Sequence, residues 1–144
     1  MPVSKNNNSA DKFDRIRQAH QSEVAEDYVE MIAELINETG EARTVDLATR
    51  FGVTSPTVNA IIQRLKREEL VETRPYRSIF LTKAGRELAE SSQKRHKVVQ
   101  EFLVSIGVPS KIAEEDAEGV EHHVSPETLA AFKAITKLQL VKNL

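Results

Sequence analysis

The sequence predicts a mainly α-helical chain in which a winged helix-turn-helix precedes an all-helical unit. Three observations carry this. Apolar residues recur at helical spacing through most of the chain, two short helical patterns flank Gly52 and a tight turn, and β-prone residues concentrate between 70 and 82. At 144 residues, with 40% hydrophobic and 29% charged residues, the chain suits one compact domain or two small ones sharing a long element.

The elements follow in order. Residues 1–10 are polar, include three consecutive asparagines and show no period, so a flexible tail is expected. Residues 11–21 read as a helical lead-in. From Ser22, a candidate N-cap, Val24, Tyr28, Met31, Ile32, Leu35 and Ile36 mark an amphipathic helix that Gly40 ends. Thr44 is expected to cap a short helix bearing Val45, Leu47, Ala48 and Phe51. Ser55 followed by Pro56 has the form of an N-cap and first-turn proline, and Val58, Ile61, Ile62 and Leu65 continue that helix to about Glu69. The runs 70–73 and 78–81 predict a hairpin tipped by Arg74 and Arg77. A long helix from Lys83 carries Leu88, Ser92, His96, Val99, Leu103 and Ile106 on one stripe until Gly107 and Pro109 break it. A shorter helix spans about 110–123, and Ser125 with Pro126 opens the last one, with Leu129, Phe132, Ile135 and Leu138 on one side. The expected division is a tail at 1–10, a winged unit at 11–84 and a helical unit at 85–144.

Charge is unevenly placed. The net charge of −2 decides nothing, but residues 41–83 are basic and the segments on either side are acidic. If Val58, Ile61, Ile62 and Leu65 face the core, Thr57, Ala60, Arg64 and Arg67 point outward, with Ser55 and Pro56 at the helix start. Those are positions a recognition helix offers to the major groove of double-stranded DNA. Arg64, Lys66, Arg67, Arg74 and Arg77 are candidate phosphate contacts. A winged helix that binds protein instead is the alternative. The chain has no cysteine, so any metal must be held by oxygen and imidazole nitrogen. No apolar run is long enough to span a membrane and the start lacks a secretory core, so a cytoplasmic protein without a membrane partner is expected.

The stretch DAEGVEHHVS, residues 116–125, concentrates acids and imidazoles. Glu118, Glu121 and His122 fall on one helical face, Asp27 and Glu30 form an i, i+3 pair on the first helix, and His96 lies on the inward stripe of the long one. So many carboxylates brought together would repel unless a divalent cation joined them, and an oxygen-rich set with two imidazoles suits manganese or ferrous iron. Gly119 marks a possible bend. His20, Asp116 and His123 are read as surface or structural groups.

The segments EDYVEMIAELI, EART, LATRFGV, SPTV, IFLTKAG, KRHKVVQEFL and DAEGVEHHVS resemble the DtxR/MntR family of metal-dependent repressors over about Asp11 to Leu138, and most closely its short manganese-responsive members. The resemblance implies that Asp27, Glu30, His96, Glu118, Glu121 and His122 hold two adjacent Mn(II) ions, with Glu121 bridging them. Iron-responsive relatives carry methionine and cysteine where this chain has Asp27 and Glu118. It further implies a homodimer that binds operators of manganese-transport genes, with no small-molecule substrate. Many relatives have a basic residue where Ala60 stands, so operator preference does not carry over. An iron-responsive repressor and a small metallohydrolase are the rival readings.

Overall fold

A computed structural model describes residues 5–75 and 78–142. Helix α1 (Lys5–Thr39) leads into strand β1 (Ala42–Arg43), then α2 (Thr44–Phe51) and α3 (Ser55–Arg67). Strands β2 (Val71–Arg74) and β3 (Ser78–Leu81) form the wing, followed by α4 (Lys83–Ser105), α5 (Ser110–Val120) and α6 (Pro126–Lys142). The mainly helical class and the winged helix-turn-helix agree with the expectation.

Local physics accounts for most boundaries. Gly52 ends α2 in the left-handed region (φ 66°), where glycine carries no Cβ clash, and this opens the turn to α3. The α3 N-cap is Thr54, whose hydroxyl accepts from the Thr57 amide, so the cap lies one residue before the expected Ser55 and Pro56 still occupies the first turn. Thr44 likewise begins α2 rather than capping it, the cap position being the extended Arg43. The hydroxyl of Thr82 accepts from the Gly85 amide to start α4, and that of Ser125 accepts from the Thr128 amide to start α6.

The largest difference from the sequence reading is α1, which runs without a break from Lys5 through Ser22 to Thr39. A helix nucleated by the packed stripe from Val24 to Ile36 extends by propagation, which fixes one residue per added hydrogen bond, so Ser22 has no terminus to cap. The extension buries little, with Phe13 and Ile16 remaining exposed.

Strand order is β1-β3-β2, antiparallel throughout, with Val71 opposite Leu81 and Arg74 opposite Ser78, while Ala42 pairs with Ile79. Strand β1 escapes a periodicity reading because two residues cannot show alternation. The winged-unit core joins Tyr28, Val29, Ile32 and Leu35 of α1 to Leu47, Val58, Ile62 and Leu65, with Ile79 and Leu81 from the sheet. Tyr28 stacks on Phe51 at 4.5 Å between centroids. In the second unit Phe102 of α4 stacks on Phe132 of α6 at 4.0 Å. Helix α4 packs on α1, α5 and α6, so it is the shared spine of both units. Where it meets the wing, a Cβ at Gly85 would lie 2.1 Å from the Leu70 carbonyl oxygen.

Candidate metal centre and nucleic-acid surface

Three elements bring the candidate ligands together. Helical spacing puts Asp27 and Glu30 on one side of α1, facing the long helix; α4 contributes His96; and the end of α5 contributes Glu118, Glu121 and His122. Helix α5 ends at Val120, just after Gly119, and Glu121 occupies its C-cap with helical angles (φ −56°, ψ −29°). The three residues therefore keep a nearly helical relation although the helix has ended.

The site divides into two neighbouring groups. His96 Nδ1 lies 3.0 Å from Glu121 Oε2 and 3.4 Å from Glu118 Oε1. His122 Nε2 lies 3.1 Å from Asp27 Oδ1 and 3.3 Å from Glu121 Oε1. One oxygen of Glu121 thus faces each imidazole. Glu23, not selected from sequence, joins Asp27 and His122 in the second group. It also meets His123 Nε2 at 3.1 Å, which gives that histidine a structural partner. His20 stays largely exposed, and Asp116 is exposed.

Burial makes this arrangement costly without a cation. Glu121 is only 1% exposed. Both its carboxylate oxygens, Glu30 Oε1, His96 Nδ1 and His122 Nε2 are buried without a hydrogen-bond partner among the described residues. Polar groups so placed ordinarily cost about 1–3 kcal/mol each, and more when charged. Burial, reinforced by the Glu30 carboxylate, pushes the Glu121 carboxyl up to about 8. Burial likewise raises Glu30, with the Glu118 and Asp27 charges adding to it. Burial opposes charge on His122, yet the Asp27 and Glu26 carboxylates beside it outweigh it and push the imidazole up to about 10. These atoms lie close together, and all are oxygen or imidazole nitrogen, so the residues fit hard to borderline divalent ions such as Mn(II).

Beside the site, Glu26 is buried, accepts from His122 Nδ1 and forms an ion pair with Arg95 of α4 at 2.5 Å. Neither residue was selected from sequence. Glu26 reads there as one more acid beside Asp27, and nothing local signals a partner on another helix.

On the opposite side of the winged unit, Pro56, Thr57, Ala60 and Arg67 of α3 are exposed and Ser55 is half-buried. Ser55 shares a groove between α3 and the wing with Arg43, Asn59, Gln63, Thr73 and Arg74. Of these, Arg43, Asn59 and Gln63 add polar reach that the sequence reading missed. Arg64 does not join this surface: its guanidinium donates to the Gln21 carbonyl at 2.8 Å and pairs with Glu68 at 3.3 Å. Arg74 lies over the Phe80 ring at 4.4 Å. Arg77 lies outside the described residues.

Two family models match the chain in consecutive segments. Residues 20–79 match the N-terminal DNA binding domain of the iron dependent repressor, and residues 82–137 its metal binding and dimerisation domain. The chain belongs to the DtxR/MntR family of metal-dependent transcriptional repressors, a family of regulators rather than enzymes, which removes the hydrolase reading. Within it, the chain is 50% identical over 125 residues to the transcriptional regulator MntR of Escherichia coli O6:H1, covering 87% of this chain and 81% of the relative. The MntR of Salmonella typhimurium is equally similar, at 50% over 125 residues, 87% of this chain and 80% of the relative. Among solved structures, a manganese-dependent transcriptional repressor in complex with manganese superposes with a TM-score of 0.69 at 30% identity, over 78% of this chain and 52% of that one. The manganese regulator SloR gives 0.68 at 27%, over 78% and 53%. The chain thus spans about half the length of these two solved relatives.

Proposed function

We propose that this chain is a manganese-activated repressor, working in the cytoplasm as a homodimer, that binds operators of manganese-transport genes. The observation that carries this reading is the convergence of orphaned, buried carboxylate and imidazole atoms from α1, α4 and α5. Asp27, Glu30, Glu121 and His122 would hold one ion and His96, Glu118 and Glu121 a second, adjacent one. Glu121 is suited to the bridge because its two oxygens face different imidazoles. When bound, such cations supply the positive charge that these carboxylates lack.

The ligands do not all belong to one unit. Asp27 and Glu30 sit on the helix whose other face builds the winged-unit core, whereas His96, Glu118, Glu121 and His122 belong to the helical unit. Drawing them together restricts α1 against α4 and so the attitude of α3. Free energy of metal binding then favours one arrangement of the two units, which is the condition for metal to raise DNA affinity.

A palindromic operator needs two winged units at a set spacing. Val104, Ile106, Ile112 and Val120 of the helical unit are exposed, as are Leu138, Leu140 and Val141 of α6. Apolar surface of that extent on a 144-residue chain supports a homodimer contact there. Among the described residues no helix is long and apolar enough to cross a membrane.

The test is a mobility-shift titration of a candidate manganese-transporter operator with Mn(II), Fe(II), Zn(II) or chelator present. Retardation with Mn(II) and its loss in chelator are expected. Tight binding that survives chelation overturns the metal switch, and activation by Fe(II) but not Mn(II) makes the chain an iron sensor.

A further inference from the structure

The pair Glu26 and Arg95 lies one layer behind the proposed ligands and crosses from α1 to α4. Glu26 is 7% exposed and uses both carboxylate oxygens: Oε2 accepts from His122 Nδ1, and Oε1 pairs with Arg95 Nη2 at 2.5 Å. The His122 side chain is fully buried, and its other nitrogen, Nε2, faces Asp27 and Glu121. A ring with one nitrogen tied to an anchored carboxylate has little freedom to rotate, and once Nε2 gives up its proton the free lone pair lies on the nitrogen that faces the ligands. Glu26 is adjacent to Asp27 in sequence, so the backbone that places one places the other.

We infer that Glu26 and Arg95 are positioning residues for the metal centre. Glu26 fixes the tautomer and orientation of His122, and Arg95 fixes Glu26 from the opposite helix. The pair also links α1 to α4 by a contact that contains no metal, so part of the interdomain arrangement exists before an ion arrives. A buried carboxylate of this kind needs a cation or donor on each oxygen, and here the two partners come from the two elements whose relative position matters. This inference rests on the manganese reading.

Calorimetric titration of the full chain with Mn(II) tests it, on the parent, Glu26→Gln, Glu26→Met and Arg95→Gln. Removing the acceptor in Glu26→Met should weaken binding about 10- to 100-fold. Glu26→Gln keeps a neutral acceptor and should lose less, and Arg95→Gln should fall between parent and Glu26→Met. In cadmium-loaded protein labelled with 15N at histidine, the His122 Nδ1–H signal should persist in the parent and in Glu26→Gln, and be lost to solvent exchange in Glu26→Met. A purely structural pair would not order the variants by hydrogen-bond acceptor. Should Glu26→Met fail to fold in chelator, Glu26→Gln and Arg95→Gln carry the affinity comparison. Parent-like affinities in the variants overturn the inference alone; a parent that binds no manganese overturns the functional reading with it.

Discussion

Replacing Glu121 by glutamine removes the charge at the middle of the site while keeping its shape. Glu121 is almost fully buried and its carboxyl is raised from 4.5 to about 8, first by burial and then by the Glu30 carboxylate. The folded state therefore binds this proton more tightly than the unfolded chain. The resulting stability is full below pH 4.5 and is lost as pH rises from 4.5 through about 8. At roughly 1.4 kcal/mol per pKa unit, the part lost between about pH 6 and pH 9 is on the order of 3 kcal/mol. His122, raised from 6.5 to about 10, loses stability in the same direction between those values, and Glu121→Gln keeps most of this because Asp27 and Glu26 contribute more to it than Glu121 does. Urea unfolding in chelator at the two pH values should show the parent losing on the order of 3 kcal/mol more than Glu121→Gln. Manganese at about 100 times its dissociation constant should then stabilise the parent by about 2.7 kcal/mol. Glu121→Gln, lacking the proposed bridge, should gain little. A variant with the parent's pH dependence and the same gain from manganese rules out this role for Glu121.

Manganese binding at pH 7 should displace protons. Glu121 and His122, raised to about 8 and about 10, are both protonated there in the metal-free protein and must both give up a proton to coordinate. Calorimetry in buffers of different ionisation enthalpy should count about two protons released, with affinity rising with pH; a count of zero contradicts the site. Gly85→Ala should destabilise the chain by about 1–3 kcal/mol or more, read by thermal melting, because its Cβ meets backbone at 2.1 Å. Arg67→Ala, which removes an exposed cation of α3, should weaken binding to all duplexes alike and lower the salt slope by about one; altered sequence preference instead means that this residue reads bases. Ile106→Asp with Ile112→Asp, placing charge on two exposed apolar positions, should convert dimer to monomer in sedimentation, and an unchanged dimer locates the interface elsewhere.

The parts of this molecule legible in the sequence are those governed by local period. Asp27 and Glu30 share a face because a helix repeats every 3.6 residues, and His96 sits inward because Ser92 and Val99 do. The joining of those faces came from family resemblance, since periodicity says nothing about which helix meets which. Features set by distant partners stayed hidden. Glu26 is one step from Asp27 and its cation lies on α4; Arg64 donates to the Gln21 carbonyl, 43 residues earlier in the chain; and β1 exists because Ala42 and Arg43 pair with Ile79 and Ser78. The α3 cap slipped by one residue because Thr54 and Ser55 are both good caps, and which of them serves depends on the turn before them.

In the proposed function, metal held between the two units controls DNA binding. The most direct measurement of that control is fluorescence anisotropy of a labelled duplex, recovered by in vitro selection with manganese-loaded protein and titrated with the chain in Mn(II) and in chelator. Affinity for that duplex is expected to fall by at least tenfold in chelator, and Glu121→Gln is expected to bind in Mn(II) as the parent does in chelator. Equal affinities of the parent in the two conditions contradict metal control.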